Sequence, residues 1–394
     1  MAFASGPASF QRFFVDGSLP GDVTDELMAA LNARAFGRLA TLPDDTQLGW
    51  IGPGHLFETE ILPERIACGR FAHLAVRIDR LKAPTNVVKA YIRVEEETMR
   101  QTTGRDLLSR GELRQAREAA LRRADEEARA GGFRRMNAYP VLLDLSQQTV
   151  YLGNLGPSVA DKVMDLFQQT FGCGLKPADP ECLAERIATA AHNARALESL
   201  TPFALATPPA GCGEAEMGSP DTSLNFLGKE FLSWLWYQID SDDGPLQVRN
   251  GHTVTVMVDR TIRLQCDFKL TGTDVITADS PTSLPEARAA LRVGKQPTRL
   301  GLILGTPVGE FRLTLDGPRW AVTGLSVPEE ESEADPRAQL EQRFESIADA
   351  ANVLDAMFEL FILRRIDRGW DRDLQSMAAW ATGKAAKPQR AASA

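Results

Sequence analysis

Strict alternation marks the most regular stretch of the chain. Between positions 71 and 79, Ala72, Leu74, Val76 and Ile78 alternate with His73, Ala75, Arg77 and Asp79. A period of two predicts a strand with one buried face. Residues 10–15 and 48–51 read as shorter strands, and the second ends in the turn Gly52-Pro53-Gly54. Thr24 is a capping residue for a helix reaching Ala35, with Leu27, Met28 and Leu31 on its apolar stripe. Pro84-Thr85 opens a long helix with Val87, Val88, Tyr91 and Val94 on one side, and Thr102-Thr103-Gly104 interrupts it. Ser109 and Glu112 form a capping box for a second helix to Ala130, which Gly131-Gly132 ends. Its large apolar residues are few, mainly Leu113 and Leu121. A helix so weakly apolar is predicted to pack lightly and stand partly in solvent. A hairpin over 140–145 and 149–152 follows, then an amphipathic helix from Ser158 to Phe167.

A Pro- and Gly-rich stretch at 200–223 divides the chain. Beyond it lies an apolar helix at 226–239, followed by β-rich sequence. Asn250-Gly251 is a strong hairpin signal. Val254, Val256 and Val258, then Ile262, Leu264, Cys266 and Phe268, predict two paired strands. A short helix at 285–293 precedes strands at 298–304, 309–315 and 319–327, with Asp316-Gly317 as a turn. An acidic linker at 329–335 leads to a long helix over 336–368. Leu340, Phe344, Ile347, Leu354, Met357, Phe358 and Phe361 share one of its faces. The expected fold is α+β and multi-domain, with mixed sheets, a charged helical pair and a long C-terminal helix. Its expected parts are an N-terminal α+β domain (1–200) with basic helices at 85–130, a β-rich domain (201–328), the long helix (336–370) and a disordered tail (381–394).

Charge changes this picture. The 394-residue chain carries a net charge of −9, yet residues 77–135 hold 15 cations against 10 anions. Positive charge so concentrated in an acidic chain points to a polyanion held at one place. Most of these cations are Arg, whose fork suits phosphate. No run approaches the roughly 20 apolar residues of a spanning helix, and the N-terminus lacks a secretory pattern. Five widely spaced cysteines fit reduced thiols in a cytoplasm.

Other chemistry is sparse. Gly172-Cys173-Gly174 and Gly211-Cys212-Gly213 lack the residues of a phosphate loop. The four histidines (His55, His73, His192, His252) are scattered, and the acidic run from Asp240 to Gly244 lacks calcium-loop spacing. Asp144, Asp259 and Asp267 are the carboxylates on or beside strands that a Mg²⁺-dependent nuclease would need to bring together. No cofactor or metal is expected. The basic helices admit two readings: a solvated face with i,i+4 pairs such as Glu118 with Arg114 and Arg122, or a phosphate-gripping surface. Phe133-Arg134-Arg135, just past the double glycine, speaks for the second, because an aromatic there adjoins two cations at a fixed turn; the alternative is a Phe that seals the helix end against the hairpin.

From Pro84 to about Leu175 the chain resembles the recombination-associated protein RdgC family. The shared order is a Pro-initiated charged helix, a break, a second charged helix, the corner Gly132-Phe133-Arg134-Arg135, the hairpin, the amphipathic helix and Phe171-Gly-Cys-Gly-Leu175. Leu48-Gly49-Trp50-Ile51, Phe231-Leu-Ser-Trp-Leu-Trp236, the stretch from Leu284 to Leu302 and Asp316-Gly317-Pro-Arg-Trp320 also resemble family segments. The resemblance implies a ring-forming homodimer that encloses double-stranded DNA without sequence preference, restrains a recombinase filament indirectly and associates with the nucleoid in the cytoplasm, with no membrane role. On this reading Lys89, Arg93, Arg114, Arg117, Arg122, Arg123, Arg134, Arg135, Lys295 and Arg299 meet DNA. Phe133 serves as a dimer gate, and Trp234 and Trp236 are further candidate dimer contacts. The chain departs from the family at Ala278-Asp279-Ser280-Pro281, where basic residues are usual. An Mg²⁺-dependent exonuclease and a protein-interaction scaffold are the rival readings.

Overall fold

Alternating segments become strands, and their pairing carries one sheet through both halves of the chain. The computed structural model describes residues 3–42, 44–206, 223–241, 244–249, 253–266, 272–328 and 335–383. The N-terminal half contains β1 (Ala8–Asp16), α1 (Asp25–Ala33), β2 (Thr46–Ile51), α2 (Pro63–Ile66), β3 (Ala67–Cys68), β4 (Phe71–Arg80), α3 (Thr85–Thr103), α4 (Arg110–Arg129), β5 (Arg135–Asp144), β6 (Thr149–Leu152), α5 (Pro157–Phe171), β7 (Gly174–Pro177), α6 (Pro180–Ala190) and α7 (Arg195–Glu198). The C-terminal half adds α8 (Phe226–Ser241), β8 (Leu246–Gln247), β9 (Thr253–Cys266), β10 (Asp274–Thr277), α9 (Pro285–Arg292), β11 (Lys295–Thr306), β12 (Gly309–Asp316), β13 (Ala321–Ser326), α10 (Pro336–Arg365) and α11 (Trp370–Thr382).

The strands run in the order β10-β9-β11-β12-β13-β1-β6-β5-β4-β2, with β3, β7 and β8 attached to β4, β1 and β9. The molecule is an α+β protein on a large antiparallel sheet. Mixed sheets were the expectation, but every ladder between named strands is antiparallel. Neighbouring strands are joined mostly by hairpins, which reverse direction at each step. β1 is the junction. Its start pairs with β13 (Ala8 with Leu325, Phe10 with Val322), its middle with β6 and its end with β7.

Two cores form. The larger lies between one face of the sheet and the helices α8, α9, α10 and α11, and it includes Phe10, Phe71, Tyr151, Phe231, Trp320, Phe344 and Phe358. The second lies on the opposite face of the N-terminal half, where α1 and α5 cover Leu74, Val76, Val141 and Val150. This arrangement corrects the reading of β4 as half-buried. Phe71 to Asp79 is buried throughout, because Phe36 with the Leu56–Phe57 loop lies over Arg77 and α10, far away in sequence, covers the start of its second face. Phe344 packs against Phe71 and His73 there. In the C-terminal half β12 keeps the alternation of a strand with one exposed face.

A second correction concerns β9. Two paired strands were expected, but residues 253–266 form one long strand. Arg260 takes a left-handed conformation (φ 58°) inside it, and the register with β11 shifts between Leu300 and Leu302. This bulge needs Gly301, because a Cβ there would meet the Asp259 carbonyl oxygen at 2.0 Å. Trp234 and Trp236 are buried in the core. They therefore offer no surface for a dimer contact, since apolar residues at nearly every turn of α8 face sheet and helices alike. Beyond Arg365 the chain makes a further helix, α11, so helical structure runs past the expected start of the tail at 381. The Asn250-Gly251 turn, Asp267, Phe268, Cys212 and nearly all of the acidic linker lie outside the described residues.

Buried polar groups tie the parts together. Arg12 on β1 donates from Nη1 to Asp355 of α10 at 2.9 Å and makes a second bond through Nη2. Trp320 Nε1 donates to the same carboxylate at 3.0 Å. Burial works against the Arg12 charge, and Asp355 overcomes it, holding the guanidinium above its ordinary pKa. Glu230 of α8 accepts from Arg365 Nε at 2.8 Å and from the Phe203 N–H at 2.8 Å. His73 has no such partner at Nε2. Burial lowers its pKa to about 4, so the folded protein keeps it neutral.

Two outcomes are expected. Asp355→Ala leaves Arg12 as a buried, unpaired charge and should cost about 3–5 kcal/mol in urea unfolding. His73 binds its proton more readily when unfolded, so stability should fall as the pH drops from 6.5 toward 4. The total effect is on the order of 3 kcal/mol. His73→Phe should remove that part of the acid sensitivity, measured as the difference between the two stability–pH curves.

Candidate nucleic-acid interface

The basic segment is an insertion in a hairpin. β4 and β5 pair from Phe71–Asp144 to Arg80–Arg135, and α3 and α4 fill the connection between the last pair. Pro84 precedes α3, and Gly104 ends it in the left-handed region (φ 65°). Ser109 and Glu112 make the capping box of α4 in both directions. The two helices pack principally on each other and form a helical arm. No residue of α3 is fully buried. The seam of α4 is Ala116, Ala120, Ala124 and Ala128, and the two large apolar residues Leu113 and Leu121 take no part in it. Those leucines are exposed, because alanine lets two helices approach closely and leaves longer side chains at the margins. Leu107, in the turn between the helices, is 87% exposed.

Polar contacts close the seam. Arg123 sits 4.4 Å from the Tyr91 ring centroid and 3.9 Å from Glu95, and the Tyr91 hydroxyl donates to Glu127. That hydrogen bond holds the Tyr91 phenol above its ordinary pKa. Arg123 therefore bridges the two helices while about half of its side chain stays exposed. Arg114 pairs with Glu118 at 3.0 Å. Lys89, Arg93, Arg117 and Arg122 are exposed, and none of them belongs to an ion pair among the described residues. Helical spacing aligns Arg110, Arg114 and Arg117 on one flank, whereas Glu118, Arg122, Asp125 and Arg129 alternate in sign along another.

At the root of the arm the cations converge. Arg80 and Arg135 are direct cross-strand neighbours, both exposed and without an ion pair among the described residues. Like charges so placed are destabilising unless an anion lies between them. On the other face of the same strands, Arg77 makes a two-pronged bond to buried Asp79 (2.9 and 2.7 Å). Arg134 lies 3.1 Å from the same carboxylate and donates to Gln47 at 2.6 Å. Phe133 is half-buried in the turn after α4.

The two cations expected from the other half are elsewhere. Lys295 is buried and donates to Asp274 at 2.6 Å. Arg299 donates to Asp316 at 2.7 Å. Lys295 is thus enclosed with its partner, whereas Arg299 is paired through Nε and stays partly exposed; nothing in their spacing announced these cross-strand acids. Asp144 and Asp259 lie in opposite halves of the sheet. Arg70 holds Asp144 at 3.1 Å, and Arg312 lies 3.5 Å from Asp259. Among the described residues no group of three or more His, Cys, Asp or Glu is placed to hold a metal ion, and no helix is long and apolar enough to cross a membrane. Sequence reading missed Arg80 as a site residue, because its pairing with Arg135 depends on strand register across the inserted arm. Neither a protein-family model nor a curated protein matches the chain.

The alanine seam gives a test of the arm itself. Ala120→Leu should overpack α3 against α4 at a cost of about 1–3 kcal/mol. Hydrogen exchange should accelerate in both arm helices while the sheet stays protected.

Proposed function

We propose that this protein is a sequence-independent double-stranded DNA-binding protein of the RdgC kind. It acts as a homodimer that encircles duplex DNA and restrains recombinase action, without catalysis, at the nucleoid. One observation carries the DNA-binding part: a solvent-exposed arm rich in arginine stands on a root where Arg80 and Arg135 oppose each other without an ion pair among the described residues. Phosphate between those two guanidiniums relieves their repulsion, and the flank Arg110, Arg114 and Arg117 continues the track along the arm. The acidic remainder of the chain confines the polyanion to this surface. The resemblance to the family supports the ring, the gate at Phe133 and the recombination role.

Binding should be electrostatic. The logarithm of the affinity for duplex should fall with the logarithm of salt concentration, by about 0.9 per phosphate neutralised. Arg80→Ala with Arg135→Ala should weaken binding to all sequences alike and reduce that slope by about 2. Lys295→Ala should leave the slope unchanged. Affinity that ignores salt, or that follows base sequence, would falsify the reading. Light scattering checks the dimer: a monomer mass across the micromolar range counts against the ring.

A further inference from the structure

Phe57 is the one large aromatic among the described residues that stands open to solvent, at 66% exposure. Its loop is not loose. Glu58 folds back to accept from the Gly54 N–H at 2.6 Å and is held by Arg65, and the Gly52 N–H donates to the Glu58 carbonyl at 2.8 Å. Arg77 lies beneath the ring. Its guanidinium is 5.5 Å from the Phe57 centroid and 4.1 Å from the Phe36 centroid, and its Nη1 donates to the Leu56 carbonyl at 3.1 Å. Asp79 fixes the same guanidinium and also holds Arg134. One face of the Phe57 ring is therefore backed by a buried, immobile cation, while the ring as a whole remains two-thirds open. Packing against the core does not account for this position. A solvent-exposed ring costs free energy, and the loop is braced to keep it there.

We infer that Phe57 is a stacking platform for an unpaired nucleobase, with Arg134, which shares Asp79 with the Arg77 beneath the ring, to meet the adjoining phosphate. The ligand class is DNA with a single-stranded segment next to duplex, such as a fork or a tailed end. Base–aromatic stacking tolerates any sequence, since every base has a π face, and the cation held against one face of the ring leaves the other for the base. The ion pair and hydrogen bond of Arg134 occupy Nε and Nη2, which leaves Nη1 for phosphate. This inference rests on the proposed DNA binding and extends it: the arm and its root hold duplex, and Phe57 distinguishes duplex from a junction.

The test compares a blunt duplex with the same duplex carrying an unpaired thymidine tail, by competition binding at one salt concentration. The wild-type protein should prefer the tailed DNA by about 5-fold or more, the lower end of the free energy of stacking one base. Phe57→Ala should abolish that preference and leave blunt-duplex affinity unchanged, while Phe57→Trp should keep it. Urea unfolding confirms that each variant is folded, as expected for an exposed side chain. Retention of the tail preference by Phe57→Ala would overturn the inference, and so would an equal loss on both DNAs. A shift of Phe57→Ala toward monomer in light scattering would also overturn it, by making the ring a contact between copies. Failure to bind either DNA would instead sink the DNA-binding proposal itself, so the two failures are distinguishable.

Discussion

The fold depends on one largely enclosed carboxylate that receives a fully buried cation. Asp355 sits on the long C-terminal helix and is gripped by Arg12 from the first strand and by Trp320 from the last hairpin. Three segments remote in sequence meet at this point. Arg12 has almost no access to water, so its charge is tolerable only where a carboxylate receives it. The geometry that satisfies Arg12 also lays α10 across the sheet at the β1–β13 junction. Once α10 is there, Phe344 reaches Phe71 and His73, and Phe358 reaches Trp320 and Phe231. The larger core is assembled around that placement.

Gly228 and Gly317 show how close the fit is on the same side. A Cβ on Gly228 would lie 2.1 Å from the Gly317 carbonyl oxygen, so α8 approaches the β12–β13 turn with no room for a side chain. Such contact transmits position from the C-terminal hairpin to the helices without needing many polar bonds. The arm is built on the opposite principle. Its helices share a narrow alanine seam, edge contacts and a cation–π clasp, with little connection to either core. A unit held this way opens more easily than the sheet.

Much of this was legible in the residues. The caps at Thr24 and Ser109, the break at Gly104, the hairpin at residues 146–148 and the apolar face of α10 all follow from local chemistry. The arm as an exposed, charged helical pair also follows, because too few apolar residues are present to bury it. The site was legible in part. Arg117, Arg122, Lys89 and Arg93 are exposed as their positions on polar helices require. Lys295 is enclosed with Asp274, and Arg123 and Arg299 are partly engaged, because Glu95 with Tyr91 and Asp316 reach them from other elements. Arg80 and Phe57 went unnoticed because nothing local distinguishes them.

Sequence alone therefore determined the identity and limits of most helices and strands, the α+β class and the concentration of positive charge in one segment. These are properties of near neighbours: capping, periodicity and charge act over a few residues. Tertiary structure decided which strands lie side by side, that β4 is covered on both faces while β12 is covered on one, and which arginines keep their charge free. Those outcomes depend on register and on helices that arrive from far along the chain. A cross-strand acid or a covering phenylalanine has no fixed sequence distance from the residue it changes.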